Sequence, residues 1–157
     1  MSARFKSVAV VGAGAVGSFY GAMLARAGHR VTLIGRAAHV RAIEQDGLKL
    51  DMAGRVEHVR LAASVELAPL RDADLVLFSV KSSATDDVAR ELAPMLAVNA
   101  VIVSLQNGVE NAATIAQHVR RIVVPAAVYV ATALVEPGLV KHFGRGELVI
   151  GALDAAA

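Results

Sequence analysis

The glycine-rich stretch VAVVGAGAVGSFYGAMLARAG, Val8 to Gly28, limits what this chain can fold into more than any other feature. It carries no charge from Val8 to Ala25, and Arg4 and Lys6 stand just before it. About 18 uncharged residues can nearly span a bilayer, and a basic start before an apolar run also resembles a secretory signal. Neither of those segments needs glycines spaced as G-x-G-x-x-G-x-x-x-G. A turn that joins a strand to a helix does need them.

Each glycine of the motif has a separate use in such a turn. Gly12 permits a tight turn, Gly14 lets the backbone approach a pyrophosphate, and Gly17 lets the following helix pack against the strand. The helix N-terminus adds N–H donors and the positive end of its dipole. We therefore predict a dinucleotide-binding loop between a strand at Ser7–Val11 and a helix at Ala15–Ala27.

Strands and helices alternate along the rest of the chain. We predict strands at Arg30–Ile34, within DADLVLFSVK, within NAVIVSLQNG and at Val123–Ala126, with a strand, turn and strand in GLKLDMAGRVEHVRLAAS. Helices are predicted at Ala38–Gln45, within SSATDDVARELAPML, where Ser83 and Asp86 could form a capping box, and within VENAATIAQHV. The stretch ATALVEPGLVKHFGRGELVIG indicates short antiparallel strands or a hairpin. The pattern predicts an α/β fold over residues 1–157, with a Rossmann-type doubly wound, mostly parallel sheet and antiparallel edge strands at its C-terminal end.

Composition argues against several other classes of protein. A net charge of +2, without a basic cluster interleaved with aromatic residues, does not indicate a nucleic-acid partner. The chain has no cysteine, which rules out disulfides and thiolate metal sites and fits a reducing cytoplasm. Its five histidines show no metal-ligand spacing. We therefore expect a cytoplasmic protein that binds no metal, no nucleic acid and no membrane.

Arg36 stands where a dinucleotide fold usually carries an acid. An NAD site places an Asp or Glu about 20 residues past the glycines, where it binds the ribose 2′-hydroxyl. This chain has Gly35 and Arg36 there, and no acid follows until Glu44. A guanidinium matches a 2′-phosphate in charge and in its forked geometry, which favours NADPH. The alternative is a solvated loop arginine that binds nothing.

Lys81 and Asn107 follow two further predicted strands. Ligands of such sheets bind at the carboxyl ends of the strands, so the Lys81 ammonium is expected to point into the crevice there. The alternative for Lys81 is an exposed lysine at a strand end. Asn107 precedes a predicted helix, so it is either an N-cap with Glu110 as its N3 partner or a contact to cofactor or substrate.

Four segments, in order, resemble the N-terminal domain of ketopantoate reductase, also called 2-dehydropantoate 2-reductase. They cover nearly the whole chain and are VVGAGAVGSFYGAMLARAGHRVTLIGR, FSVKSSATDD, SLQNGVEN and PGLVKHFGRGELVIG. The glycine loop is common to many dehydrogenases. More specific to this family is the combination of three motifs, which are the valine-lysine pair Val80–Lys81, the QNG at Gln106–Gly108 and the H-x-G-x-G stretch at His142–Gly146.

The resemblance implies NADPH-dependent reduction of the 2-oxo group of ketopantoate to pantoate, a step towards pantothenate and coenzyme A. It implies that Arg36 binds the 2′-phosphate, that Lys81 and Asn107 contact the cofactor close to the substrate, and that the backbone at Ala133 also contacts the cofactor. His142 matches a family position too, but we interpret it as a strand-surface histidine. The pyrophosphate contacts implied are Gly12, Ala13, Gly14, Ala15, Val16 and Gly17.

Members of that family carry a second, helical domain, which supplies the catalytic lysine and holds the 2-oxo acid. We therefore expect this chain to be the cofactor-binding half of such an enzyme, able to bind NADPH but unable to turn over ketopantoate alone. No certain catalytic residue is predicted within it, and a homodimer is one option for the full-length protein. Two alternatives stay open: another two-domain Rossmann dehydrogenase of the hydroxyisobutyrate or glycerol-3-phosphate type, and a non-catalytic nucleotide-binding module.

Overall fold

The structure is a computed structural model that describes residues 4–108 and 110–152. Its helices are α1 (Ala15–Arg26), α2 (Ala37–Asp46), α3 (Thr85–Leu92) and α4 (Glu110–His118). Its strands are β1 (Ser7–Val11), β2 (Arg30–Ile34), β3 (Leu48–Met52), β4 (Arg55–Val59), β5 (Ala62–Ser64), β6 (Leu75–Phe78), β7 (Val101–Ser104), β8 (Ile122–Glu136) and β9 (Leu139–Ile150).

The described strands form one sheet in the order β4-β3-β9-β8-β7-β6-β1-β2-β5. Six neighbouring strands pair in parallel, in the order β5, β2, β1, β6, β7 and β8 across the sheet. Numbered by their sequence among these six, they have the 3-2-1-4-5-6 order of a doubly wound nucleotide-binding sheet. Helices α1 and α2 pack on one face, and α3 and α4 pack on the other. The predicted fold class is therefore confirmed.

The centre of this sheet is apolar on both faces because helices cover both. Strand β1 is buried from Val8 to Val11, as expected for a parallel strand between two helical layers. Leu33 and Phe78 on the neighbouring strands are fully buried. Burying a side chain of this size contributes about 1.5–3 kcal/mol, so the core rigidly fixes the strand ends from which the site is built.

Strand β8 is longer than the sequence predicted. Its first residues pair in parallel with β7, and the rest pairs antiparallel with β9, so one strand joins the two parts of the sheet. We expected a strand at Val123–Ala126 followed by short antiparallel strands or a hairpin, and the hairpin is confirmed, with its turn at Pro137–Gly138. Gly144 and Gly146 were expected to interrupt the strands. The register instead shifts at Tyr129/Val130 and Ala131/Thr132, so bulges absorb the irregular residues and pairing continues.

The segment after α2 differs in part from the predicted strand, turn and strand. The turn at Ala53–Gly54 joins β3 to β4 as expected. The last residues of the segment, Ala62–Ser64, leave this hairpin and form β5, which pairs with β2 at the opposite edge of the sheet. The strand that Ala62–Ser64 joins is decided by pairing between segments that are distant in the sequence. The local pattern of apolar residues carries no information about that pairing.

The predicted capping box at Ser83 and Asp86 is wrong. Helix α3 begins at Thr85, after a 3₁₀ turn at Ser82–Ala84, and no side chain in the described part of the chain caps it. The Asp86 carboxylate instead pairs with Arg90 and accepts a hydrogen bond from His118, 2.7 Å away on α4. Asp86 thus links α3 to α4, and the hydrogen bond from His118 is the main reason why its pKa is lowered.

The uncharged stretch that opens the chain becomes β1, the glycine turn and the 12-residue helix α1. Among the described helices, none has the length and apolarity that a membrane crossing requires.

Candidate nucleotide-binding site

A cavity of about 460 Å³ lies where the strand order reverses, between the ends of β1 and β6. Open α/β sheets bind their ligands at this place. Residues that follow β1, β2 and β6 supply most of its lining. The lining residues are Gly12, Ala13, Gly14, Gly35, Arg36, His39, Ser79, Val80, Lys81, Ser83, Ala84 and Leu134.

The turn after β1 is fastened to both neighbouring strands. The backbone N–H groups of Gly12 and Ala13 both donate to the Ile34 carbonyl, at 3.1 Å, and Ser79 N–H donates to the Val11 carbonyl at 2.8 Å. Gly12 has φ +92°, and a Cβ built there would lie 2.7 Å from the backbone of Ser79. Only glycine therefore lets β1 and β6 end so close together.

Gly14 has the opposite environment. It precedes α1 with φ −84° and ψ −160°, which any residue can adopt, and a Cβ built there meets no atom within 4 Å. No contact within the protein therefore requires a glycine here. The close approach of a group outside the chain would require one, because a side chain at Gly14 would occupy the space in front of the helix.

The polar groups around this cavity suit an anion. Among the described residues no side chain caps α1, and the first turn of α1 contains no acid, so N–H groups at its start are available to a phosphate. Arg36 and Lys81 are the charged residues of the lining, and none of the lining residues is acidic. A pyrophosphate with a further phosphate fits this set of donors and cations.

Arg36 follows β2 and opens α2 as its N-cap residue. Gly35 brings it close to the glycine turn, because a Cβ on Gly35 would lie 2.9 Å from the Ala13 Cβ. Among the described residues, no carboxylate forms an ion pair with Arg36. Its exposed side chain lines the cavity, so its guanidinium is free to pair with a ligand.

Lys81 is exposed and lines the same cavity as Arg36. Asn107 lines an adjacent polar cavity of about 570 Å³, which the starts of α3 and α4 enclose and which shares Ser83 with the first. The interpretation of Asn107 as a helix cap with Glu110 is wrong, since Gly108 has φ +98° and α4 begins at Glu110. Residue 109 lies outside the described residues.

The other predicted contacts surround these two cavities. Ala15, Val16 and Gly17 are the first three residues of α1. Ala133 is half-buried in β8 opposite Lys141, one residue before Leu134 in the lining, and does not itself line the cavity. His142, interpreted as a surface histidine, lies half-buried in β9 and stacks on the Phe19 ring, with 4.6 Å between ring centroids.

His39 is a site residue that the sequence did not indicate. It is 4% exposed and borders the cavity, three residues after Arg36. Its Nδ1 accepts the Gly138 N–H at 2.8 Å, so the ring proton sits on Nε2 and is donated to Ser18 Oγ at 3.1 Å. His39 thus ties α2 to α1 and to the β8–β9 turn. Its partners are distant in sequence, so no spacing could reveal them.

Burial lowers the pKa of His39 below its ordinary value of about 6.5. The unfolded chain therefore binds a proton at a higher pH than the folded chain does. We expect the free energy of unfolding to fall as the pH falls below about 6.5, and to level off below the folded pKa. Urea unfolding at pH 7.5 and pH 5 measures this loss. His39→Asn keeps an acceptor for Gly138 and should reduce it.

His58→Asn is the matched control for this pH dependence, since His58 is exposed on β4 and its Nδ1 donates a hydrogen bond to the Asp46 carbonyl. It should keep the wild-type difference in stability between the two pH values. If His39→Asn lost as much stability between pH 7.5 and pH 5 as the wild type, the assignment of this pH dependence to His39 would be contradicted.

The model that represents the ketopantoate reductase PanE/ApbA family matches residues 8–155. The chain belongs to the ketopantoate reductase family. A 2-dehydropantoate 2-reductase of Halobacterium salinarum is 38% identical over an alignment 152 residues long, which covers 92% of this chain and 48% of that protein. Ketopantoate reductases are nucleotide-dependent oxidoreductases, in agreement with a cavity suited to phosphates at the switch point of the sheet.

Solved structures show the same relationship. A PanE/ApbA family ketopantoate reductase from Ralstonia eutropha JMP134 is 53% identical with a TM-score of 0.89, over 92% of this chain and 48% of that one. A D-mandelate dehydrogenase solved with NADH and anilino(oxo)acetate is 27% identical with a TM-score of 0.84, over 95% of this chain and 49% of that one. This chain therefore spans about half the length of the relatives it matches.

Proposed function

We propose that this chain is the NADPH-binding half of a 2-dehydropantoate 2-reductase, an enzyme that reduces ketopantoate to pantoate for the synthesis of pantothenate and coenzyme A. The observation that carries the proposal is the meeting of the glycine loop, Arg36 and Lys81 around one cavity at the switch point. Family membership supports the reductase over the hydroxyisobutyrate and glycerol-3-phosphate types and over a non-catalytic module.

Each part of the site has a separate task in this proposal. The backbone from Gly12 to Gly17 and the start of α1 hold the pyrophosphate, and Arg36 pairs with the 2′-phosphate. Lys81 and Asn107 contact the nicotinamide end, near the 2-oxo acid, while the backbone at Ala133 contacts the cofactor from β8. When bound, NADPH supplies the hydride that reduces the 2-oxo group.

The relatives are about twice as long as this chain, and we propose that a second domain of such a protein holds the substrate and supplies the proton. The expectation that the 157 residues alone do not turn over ketopantoate stays a prediction. So do the homodimer and the cytoplasmic location.

Replacing Arg36 with alanine is expected to weaken NADPH binding by about 10- to 100-fold and to leave NADH binding nearly unchanged. The reason is that a charge-assisted hydrogen bond contributes about 1.5–3 kcal/mol, and NADH has no 2′-phosphate to form it. Calorimetric titration of both nucleotides into the wild type and Arg36→Ala measures the difference.

Arg41→Ala is the matched control for this experiment. Arg41 is also exposed on α2 but does not line the cavity, so its removal changes the net charge equally. It should leave the affinities for NADPH and NADH unchanged. An equal loss of both affinities in Arg36→Ala would contradict the assignment of the 2′-phosphate to Arg36.

The similarity to D-mandelate dehydrogenase favours one second candidate, reduction of another 2-oxo acid. That neighbour was solved with NADH, whereas the end of β2 here presents Arg36 and no acid. The ratio of the wild-type affinities for NADPH and NADH therefore also tests whether this chain shares its cofactor with that neighbour.

A further inference from the structure

A chain of buried polar side chains lies directly behind Lys81 and Asn107. Its members are Ser104 and Gln106 at the end of β7, Thr85 at the start of α3 and Asn111 in the first turn of α4. All four are at least nine-tenths buried, with Thr85 only 2% exposed. We call these residues the amide chain.

Hydrogen bonds run through the amide chain in one direction. Ser104 Oγ donates to Gln106 Oε1 at 3.2 Å, and Gln106 Nε2 donates to Thr85 Oγ1 at 2.7 Å. Thr85 Oγ1 then donates to Asn111 Oδ1 at 3.0 Å. Each hydroxyl therefore passes on one hydrogen, and the orientation of each amide depends on the residue before it.

The remaining amide hydrogens hold the two loops of the site. Gln106 Nε2 donates its second hydrogen to the Val80 carbonyl at 2.8 Å. Asn111 Nδ2 donates to Ser82 Oγ at 3.2 Å and to the Asn107 carbonyl at 2.8 Å. The amide chain thus holds the residues on both sides of Lys81 and the backbone of Asn107 itself.

Such a network fixes geometry more firmly than surface bonds do. Among the described residues, no buried side-chain nitrogen or oxygen lacks a partner. If the Gln106 amide were reversed, its oxygen would face the Val80 carbonyl, so one arrangement is strongly favoured. A fully paired network in a low-dielectric interior is rigid, whereas the loss of one member leaves the others unpaired.

We propose that Thr85, Gln106 and Asn111 are positioning residues that set the spacing between Lys81 and Asn107 for the nicotinamide end of the dinucleotide. This inference rests on the proposed function, because it assigns those two residues to the same ligand. The adenosine end is assigned to Arg36 and the glycine loop, to which the amide chain forms no hydrogen bond among the described residues. Loss of one hydrogen bond in the amide chain should therefore weaken binding of the nicotinamide end and leave binding of the adenosine end nearly unchanged.

Thr85→Val removes the central hydroxyl and keeps the side-chain shape. We expect NADPH to bind about tenfold more weakly, because the Gln106 amide and the Asn111 carbonyl oxygen both lose a partner. Binding of 2′,5′-ADP, which carries the adenosine and the 2′-phosphate without the nicotinamide, should change by less than about twofold. Titration calorimetry of the 157-residue chain with both ligands measures this difference. Thr85→Ser restores the hydroxyl and should recover most of the NADPH affinity.

Thr32→Val is the matched control, since Thr32 lies within β2 away from the amide chain. It should leave both affinities unchanged. If Thr85→Val lowered the affinities for NADPH and 2′,5′-ADP equally, or lowered neither, the positioning role would be overturned and the proposed function would stand. A wild-type chain that binds neither nucleotide would overturn the proposed function as well. If Thr85→Val does not fold, Ser82→Ala at an exposed position decides the question, and unchanged NADPH binding in it would overturn the inference.

Discussion

Replacing Gly14 with valine is expected to weaken NADPH binding by about 100-fold or more while the chain stays folded. The Gly14 backbone is open to any residue, and a Cβ there meets no protein atom within 4 Å, so the fold tolerates the side chain. The ligand does not, because valine occupies the space in front of α1. Lost backbone hydrogen bonds to phosphate cost about 1.5–3 kcal/mol and steric displacement about 1–3 kcal/mol, which together reach a 100-fold effect.

Titration calorimetry measures the binding loss, and thermal unfolding shows whether the variant is folded. Gly151→Val is the matched control, because Gly151 also has open space at its Cβ position and lies outside the cavity. It should bind NADPH as the wild type does. Wild-type affinity in Gly14→Val would show that no pyrophosphate approaches this turn. Sedimentation of the wild-type chain with membranes would instead revive the membrane interpretation of residues 8–28.

Replacing Gly12 with alanine is expected to lower the free energy of unfolding by about 3 kcal/mol, although the added methyl group is smaller than valine. Gly12 has φ +92°, where a side chain costs about 1–2 kcal/mol. The new Cβ would also lie 2.7 Å from the backbone of Ser79 and Val80, and such overpacking costs about 1–3 kcal/mol. Backbone atoms cannot rotate away as a flexible side chain can.

Urea unfolding of Gly12→Ala and Gly14→Ala measures this contrast between two glycines of one motif. Gly14→Ala should cost less than about 1 kcal/mol, the usual difference between glycine and alanine at a helix N-cap. If Gly12→Ala were as stable as the wild type, β1 and β6 would not end as close together as the structure describes.

The parts of the fold that follow from local chemistry were predictable from the sequence. The bounds predicted for β1 and β2 agree with the structure, because an apolar run before a glycine turn leaves few alternatives. The meeting of Arg36 and Lys81 also followed, since they come after two parallel strands, β2 and β6, that flank β1 and end at the same edge of the sheet.

The parts that depend on contacts between distant segments were not predictable. His39 pairs with Ser18 and Gly138, which lie on other elements, and a single histidine in a helix carries no sign of them. The continuation of β8 depends on the partner strand β9, whose bulges take up the extra residues. Asn107 resembled a cap because Asn and Glu three residues apart favour one, but Gly108 turns the chain before the helix begins.

The pairing of β3 with β9 affects the order in which the strands of the sheet can pair during translation. Lys49 pairs with Leu139, so β3 gains this neighbour only after β9 has been synthesised, and until then the edge of β3 that faces β9 is unpaired. Strands β1, β2, β5 and β6 can join much earlier, because all four have been synthesised once the chain has reached Phe78. A nascent chain that has not yet reached β9 therefore carries the paired strands around the nucleotide loop together with a β3–β4 hairpin whose inner edge is unpaired, and unpaired strand edges are prone to aggregation. Gly138 reaches His39 only when the turn between β8 and β9 has been synthesised, so the site is completed after the parallel strands β1, β2, β5 and β6 have emerged.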